Sequence, residues 1–353
     1  MQECKQAATG SRLRTLSIGL ALFAAQAAFS LAEAQTTYSL TPLGSLGGGE
    51  TTVNAINNVG DIVGCSVRDI NGTSVARAFV YRNGQMMDIG ALTPNGSSCA
   101  TDINDSGVVT GNSAAATGET RAFVYQNGTI RSLGNLGSAT YAEAINNNGQ
   151  IAGWANDLNG DYIGAFRYDA RTQQVVNIPT LGSDITKATS INAAGSVVGF
   201  AVNAQFRGTT VLFSNGTSTD LGNVVGFPNS VAGINDLGQV VGSNSNGGYL
   251  YVAGAVTPLP SLSGNSGGPS ALNNLTQIVG SSWTATGNHA YVITNGQIVD
   301  LNDAIVASSP DKAFVTLDGA SDINDSGWIL ASGLDTRTHR RSTYLLRPVT
   351  TRR

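Results

Sequence analysis

Basic residues are scarce in this sequence, and their scarcity argues against one class of partner. Lysine and arginine together number 19 against 23 acidic residues, which gives a formal net charge of −4. After residue 34 the only lysines are Lys187 and Lys312. A protein that binds nucleic acid needs a basic surface that displaces phosphate counterions. The composition therefore predicts no nucleic-acid partner.

Metal ligands and nucleophile motifs are also scarce. The sequence has two histidines, His289 and His339, whereas a zinc site needs about three or four Cys, His or carboxylate ligands. No Gly-x-Ser-x-Gly elbow accompanies a strand-to-helix pattern, which is the setting of that motif in serine hydrolases. We therefore predict no cofactor, no His-based metal centre and no catalytic residue.

Only one long apolar run is present, from Leu16 to Leu31. Lys5, Arg12 and Arg14 precede it, and the small-x-small phrase Ala32–Ala34 follows it. This arrangement predicts a secretory signal peptide that is cleaved after Ala34. Polar interruptions make the run too short for a comfortable membrane anchor, and no later run reaches about 18 apolar residues. We expect an exported protein, periplasmic or extracellular, with no membrane span.

Cysteine is the third scarce residue type. Of three cysteines, Cys65 and Cys99 remain after cleavage of the signal peptide. An even number in an oxidising compartment is compatible with one disulfide. Two buried free thiols are the alternative, and the two positions alone do not decide between them.

A phrase of about ten residues is present seven times. It begins as AINNVGDIVG at 55–64 and returns at 102–111, 144–153, 190–199, 233–242, 271–280 and 322–333. Its first Asn stands at Asn57, Asn104, Asn146, Asn192, Asn235, Asn273 and Asn324. A period near 45 residues is typical of a propeller or a solenoid.

Two further phrases follow the first in each repeat, for example AFVYRNG at 78–84 and MDIGAL at 87–92. Each repeat therefore holds four short strands joined by Asn-Asn-x-Gly and Asn-Gly turns. Gly supplies the positive φ of such turns, and Asn bonds its own backbone, so we interpret the repeated Asn as a turn former. The residues predicted to have positive φ are Gly60, Gly107, Gly149, Gly195, Gly238 and Gly327.

The two ends of the repeat region are complementary. The repeat region begins with a fourth-strand phrase around Tyr38–Leu43 and ends with a third-strand phrase around Thr343–Leu346. Pairing of the two would close a ring and hide both sheet edges. We predict an all-β fold, a seven-bladed β-propeller of four-stranded antiparallel blades in which the N-terminal strand completes the last blade. The predicted organisation is a signal peptide at 1–34, the propeller at 35–348 and a C-terminal tail at 349–353.

The third-strand phrases resemble a known repeat. His289-Ala290-Tyr291 precedes a short strand and an Asn-Gly turn, and Ala-Phe recurs at 78–79, 122–123 and 165–166 without the His. Together with the Leu-Gly and Ile-Asn phrases, this pattern resembles the HAF family of probable extracellular repeats. The resemblance covers nearly all of the chain after residue 34. It implies an exported repeat protein and brings no activity with it.

Two turn phrases resemble the start of a calcium loop. Asp102 to Gly107 and Asp322 to Gly327 place oxygen side chains at alternate positions before Gly. The bidentate acid that completes such a loop is missing, and turn chemistry accounts for the same residues. Weak calcium candidates are thus Asp102, Asn104, Asp322 and Asn324, and we predict no metal.

The loops between strands two and three, and between blades, vary in length and lie on one face. Binding residues are often on variable loops held by a rigid scaffold. The aromatic candidates on this variable-loop face are Tyr141, Tyr162, Phe206 and Phe227. We predict a monomeric binding or scaffold module for a glycan or a protein, without catalysis. The alternative is a polysaccharide lyase or glycosidase that uses carboxylates at the central channel, with Asp102, Glu143 and Asp322 as candidates.

Overall fold

The repeats fold into seven antiparallel blades, as the sequence predicts. The computed structural model describes residues 36–157, 159, 163–263 and 267–349. The predicted signal peptide, Tyr162 and residues 350–353 of the predicted tail lie outside the described residues. Two short helices, α1 (Gly222–Val225) and α2 (Leu301–Ala304), interrupt an otherwise all-β fold.

The strands of the first four complete blades follow the phrase order of the repeat. Blade 1 contains β2 (Thr51–Ile56), β3 (Ile62–Ile70), β4 (Thr73–Arg82) and β5 (Gln85–Gly90). Blade 2 contains β6 (Ser98–Ile103), β7 (Val109–Ala114), β8 (Thr120–Gln126) and β9 (Thr129–Ser132). Blade 3 contains β10 (Thr140–Ile145), β11 (Gln150–Asn156), β12 (Ile163–Asp169) and β13 (Val175–Asn177). Blade 4 contains β14 (Gly182–Ile191), β15 (Val197–Asn203), β16 (Gly208–Ser214) and β17 (Thr217–Asp220).

Among the last three blades, blades 5 and 6 supply all four of their strands, and only blade 7 takes its fourth strand from the other end of the chain. Blade 5 contains β18 (Asn229–Ile234), β19 (Val240–Asn244), β20 (Gly247–Val252) and β21 (Ala255–Pro258). Blade 6 contains β22 (Gly267–Leu272), β23 (Ile278–Thr284), β24 (Gly287–Thr294) and β25 (Gln297–Asp300). Blade 7 contains β26 (Val315–Ile323), β27 (Ile329–Asp335) and β28 (Arg340–Val349) and is completed by β1 (Thr37–Pro42).

The predicted closure of the ring is confirmed. β1 pairs antiparallel with β28, from Thr37 opposite Val349 to Pro42 opposite Tyr344. The outer side of β1 is covered as well, because the backbone N–H of Val306 donates to the carbonyl of Tyr38 at 2.9 Å. Neither edge of the N-terminal strand is therefore left open for another chain.

The hydrophobic core lies between neighbouring blades. Val63 and Val80 of blade 1, for example, pack in one cluster with Ile103, Val109 and Phe123 of blade 2. These apolar side chains alternate along the strands and point to the two faces of each blade. Every blade thus depends on its neighbours for burial, which is why closure of the ring matters for stability.

The turn prediction is also confirmed. The six predicted glycines have φ between 73° and 90°. The remaining repeat, in blade 6, has Thr276 at the corresponding position, with φ of 60°. A β-branched residue is strained there, and the hydroxyl of Thr276 donates to Gln239 Oε1 at 2.9 Å.

A second glycine, at the end of the Val-Val-Gly phrase, is required by close approach. A Cβ on Gly111 would lie 2.3 Å from the carbonyl oxygen of Cys99 and 2.7 Å from the ring of Phe123. The first strand of every blade has a β-bulge opposite this second-strand position. The bulge re-aims a side chain toward the next blade: the Thr101 hydroxyl donates to the carbonyl of Ala142 at 2.9 Å.

Candidate functional site

The first candidate site is the mouth of the central channel, on the face that carries the uniform turns. A cavity of about 200 Å³ is lined there by the Ile-Asn phrases of all seven repeats. Because strand one of each blade ends at this level, the polar groups of the turns converge on the axis.

The repeated Asn side chains form a closed circle of hydrogen bonds around this mouth. Each side-chain amide donates to the backbone carbonyl of the corresponding Asn in the next blade, and the last, Asn324, returns to Asn57 at 2.9 Å. The others run in order through Asn57, Asn104, Asn146, Asn192, Asn235 and Asn273, at 2.9–3.1 Å. The side-chain oxygens accept turn N–H groups, as from Asp61 at 2.8 Å. The repeated Asn is therefore both a turn former and an inter-blade link.

Two of the carboxyl groups that line this cavity accept hydrogen bonds from backbone N–H groups of two blades. The backbone N–H groups of Ile103 and Ile145 donate to Asp102, both at 2.7 Å. Asp322 accepts in the same way from Ile323 and Ile56, both at 2.8 Å. Burial, with a further contribution from the charge of Asp322, raises the pKa of Asp102 to about 7. Burial raises the pKa of Asp322 to about 6.

This pair is the feature that the enzyme alternative would use, but its third candidate lies elsewhere. Glu143 is absent from the described lining of the cavity and instead accepts a hydrogen bond from Trp154 Nε1 at 2.8 Å. Among the weak calcium candidates, the oxygens of Asn104 and Asn324 are occupied by turn N–H groups. Within the described part of the chain, no three Cys, His, Asp or Glu residues are grouped to hold a metal ion.

The channel carboxyls give a prediction about pH. Their raised pKa values mean that the folded state holds protons more tightly than the unfolded state between about pH 4 and pH 7, so stability falls as pH rises through this window. Replacement of Asp102 and Asp322 by Ser copies blade 4, where Ser190 Oγ accepts from the N–H of Ile234 at 3.4 Å. We expect the loss of unfolding free energy between pH 5 and pH 8 to be smaller in the variant by roughly 4 kcal/mol. Denaturant titrations at the two pH values measure it, and equal losses in both proteins would contradict the assignment.

The second candidate is a chain of three polar groups in blade 6. Thr286 Oγ1 lies 3.1 Å from His289 Nε2, and His289 Nδ1 lies 2.6 Å from Asp300 Oδ2. The order resembles that of a hydrolytic triad. The same pair of repeat positions, however, holds Arg77 with Asp88 in blade 1 and Thr209 with Asp220 in blade 4. Because the same contact recurs with chemically different partners, we interpret it as a structural link between strands three and four of a blade and not as a catalytic triad.

The aromatic residues predicted on the variable-loop face do not form one site. Tyr141 is stacked on Trp154, with ring centroids 4.0 Å apart. Phe227 packs against Gly222, since a Cβ there would lie 2.2 Å from its ring. Phe206 is 87% exposed in the turn after β15. Their binding role stays a prediction, and Tyr162 lies outside the described residues.

The third candidate arises at one repeated position, the residue that follows the second-strand Gly, which we call the inter-blade position. In blade 1 it is Cys65, which is bonded to Cys99 of blade 2. In blade 2 it is Asn112, whose side chain bonds both the N–H and the carbonyl of Ala142 in blade 3. In blade 3 it is Trp154, and the Lys187 ammonium of blade 4 lies 4.2 Å from its ring centroid. Each of these side chains spans the gap to the following blade.

Among the described residues, no such side chain joins blade 5 to blade 6. The inter-blade position of blade 5 is Ser243, and it faces Gly268 of blade 6: a Cβ on Gly268 would lie 2.9 Å from Ser243 Oγ. Because both residues are small, a groove of about 560 Å³ opens between the two blades, the 5–6 groove. Its lining includes Ser243, Gly268, Ser281, Trp283 and Asn288. An alignment of the seven repeats could have shown that both positions hold small residues. It could not have shown the volume between them.

The ends of the groove lie on the variable-loop face. The turn between β19 and β20 and the connection from β21 to β22 both contribute lining residues. The face predicted for binding thus contains the larger of the two cavities described above. The residues that line this cavity are not the predicted aromatic residues.

Comparison with known proteins supports the fold. The β-propeller domain of the Trilobed protease from Pyrococcus furiosus, described as having an open velcro topology, is similar over 85% of this chain and 96% of its own, with a TM-score of 0.57 and 10% identity. Puromycin hydrolase is similar over 88% of this chain and 55% of its own, with a TM-score of 0.54 and 14% identity. YCF48, solved bound to D1 peptide, is similar over 89% and 96%, with a TM-score of 0.52 and 12% identity.

The fold is a seven-bladed β-propeller. The chain matches no protein-family model and no curated protein sequence. At such low identities the similar structures show the fold alone, and propellers serve many functions. In the described residues, no helix has both the length and the apolar character to cross a membrane.

Proposed function

We propose that this propeller is an exported binding or scaffold module that takes its ligand, a glycan or a protein segment, in the 5–6 groove. The observation that carries the proposal is the replacement of the inter-blade bridge by Ser243 and Gly268, which opens a cavity of a size that binding sites commonly have. The leader pattern before Gln35 and the resemblance to HAF repeats support export. YCF48, a propeller of similar fold, was solved with a peptide bound.

A second candidate function rests on the channel. Asp102 and Asp322 share a cavity and have raised pKa values, as an acid–base pair requires. In both carboxyl groups, however, each oxygen already accepts a hydrogen bond from a backbone N–H group. These bonds account for the two residues as structural links between blades. Replacing both with Ser would abolish product release from a polysaccharide if the channel were an active site, and would leave binding in the groove unchanged.

The proposal is tested by filling the groove. Ser243→Phe installs the residue that blade 4 has at the inter-blade position, Phe200. We expect its affinity for any glycan or peptide that the wild type binds on an array to fall at least about tenfold. Val252→Phe is the matched control, because Val252 is 38% exposed in the same blade and is outside the described lining of the groove.

The control should bind within about twofold of wild type, and both variants should melt near the wild-type temperature. If Ser243→Phe folds and binds every probe as wild type does, the groove is not the binding site.

A further inference from the structure

We infer that the ligand of the 5–6 groove is an uncharged carbohydrate chain, with the indole of Trp283 as its stacking surface. This inference rests on the proposed function and narrows it to one chemical class.

The first argument is charge. Every described residue that lines the groove is neutral at pH 7, and most are Ser, Asn or Gly. A charged ligand that left water for this groove would lose hydration without gaining an ionic partner. Anionic polymers and charged peptides are therefore poor matches, whereas the hydroxyl groups of a neutral sugar are good ones.

The second argument is the position of an exposed aromatic ring. Trp283 lies in β23 beside the groove and is 57% exposed. At the corresponding position of blade 1 stands Val67 and in blade 7 Leu334, so the large ring is not a requirement of the repeat. An indole combines a wide apolar face with a polar edge. It suits the flat C–H face of a sugar ring.

The third argument is the supply of hydrogen-bonding groups. Ser243, Ser281 and Asn288 line the groove and are half-buried, so their hydroxyl and amide groups are available to a ligand. Hydroxyl and amide groups offer donors and acceptors together. Sugar hydroxyls need both, and three such side chains next to one aromatic surface provide them.

The walls of the groove also disfavour a peptide bound as an added strand. β19 is paired with β18 on one side and β20 on the other, and β23 with β22 and β24. These strands present side chains to the groove and have no free backbone edge there, although strand addition needs such an edge.

The test compares three probe classes on the full mature chain: uncharged oligosaccharides of glucose, mannose and galactose, anionic uronate or sulfated oligosaccharides, and peptides. We expect at least one uncharged series to bind by calorimetry, with an affinity that does not change between about 50 and about 500 mM salt. Trp283→Ala should weaken it at least about tenfold, and Trp283→Phe should retain most of it.

Leu334→Ala is the matched control. Leu334 occupies the same strand position in blade 7 and is 40% exposed, so its truncation should leave the affinity within about twofold of wild type. If an anionic oligosaccharide or a peptide binds in preference, and Ser243→Phe abolishes that binding, the inference of an uncharged carbohydrate is overturned and the proposed function stays intact. Binding of every probe class that is insensitive to Ser243→Phe would overturn both.

Discussion

A protein made from residues 46–353 should melt at least roughly 10 °C below one made from residues 35–353 and should self-associate. The deletion removes β1, whose side chains Tyr38 and Leu40 are 1% and 6% exposed and belong to the core between blades 6 and 7. Loss of each large buried side chain costs about 2–5 kcal/mol, and each kcal/mol shifts the melting temperature of a large domain by about 2–4 °C. The free edge of β28 would then be open to pairing with another chain.

The double substitution Tyr38→Ala and Leu40→Ala is the matched control. It removes the buried side chains but keeps the backbone ladder from Thr37 to Pro42. We expect a lower melting temperature without self-association, as measured by calorimetry and analytical ultracentrifugation. A deletion variant that melts with the intact protein and stays monomeric would show that closure by β1 does not hold the ring together.

Asn192→Ala should reduce the unfolding free energy by about 2–4 kcal/mol. Asn192 is buried, donates to the carbonyl of Asn235 at 3.1 Å and accepts from the N–H of Ser196 at 3.0 Å. Alanine would break the circle of Asn side chains and leave the N–H of Ser196 without its partner, while the carbonyl of Asn235 would keep only its bond from the N–H of Gly238. An unpaired buried group costs more than the bond itself contributes.

Asn148→Ala provides the comparison, because Asn148 is exposed and also donates to a backbone carbonyl of the next blade, that of Ala193, at 2.8 Å. Water can replace this bond, so we expect a loss below about 1 kcal/mol. Urea titration of the two variants measures the difference. Equal losses would contradict a special role for the buried circle.

The repeat phrases predicted the architecture because they encode local structure. The Gly residues after the Asn turns supply positive φ, and this requirement is local to the turn. Closure was equally predictable, since the phrases at Tyr38–Leu43 and Thr343–Leu346 are each incomplete and complete one another. Patterns of this kind depend on residue type and order alone.

The circle of Asn side chains was only half predicted. The turn role of Asn57 follows from its neighbours in sequence, but its bond to the carbonyl of Asn104 joins residues 47 positions apart. Only the radius of the ring brings the two within hydrogen-bonding distance. The bulge before each Ile-Asn pair was not predicted either, because no Gly, Pro or other typical turn residue recurs at the bulge in the seven repeats.

The groove was missed because it results from absent volume. Ser243 and Gly268 are unremarkable in a sequence rich in Ser and Gly, and only comparison with Cys65 and Cys99 at the same repeat positions reveals that a bridge is lacking. Sequence reasoning looked instead for aromatic residues in long loops. It therefore selected Tyr141 and Phe227, which pack within the fold, and passed over Trp283 in a strand.

The same equivalence provides the most direct test of binding in the groove. The double substitution Ser243→Cys and Gly268→Cys transfers the arrangement of Cys65 and Cys99 to blades 5 and 6, where a Cβ on Gly268 would lie 2.9 Å from the Ser243 oxygen. The account predicts that the oxidised variant binds the ligand at least about tenfold more weakly than the reduced variant, while wild type binds equally under both conditions. If mass spectrometry shows the new disulfide formed and the oxidised variant still binds as tightly as the reduced one, the ligand does not occupy the groove between blades 5 and 6.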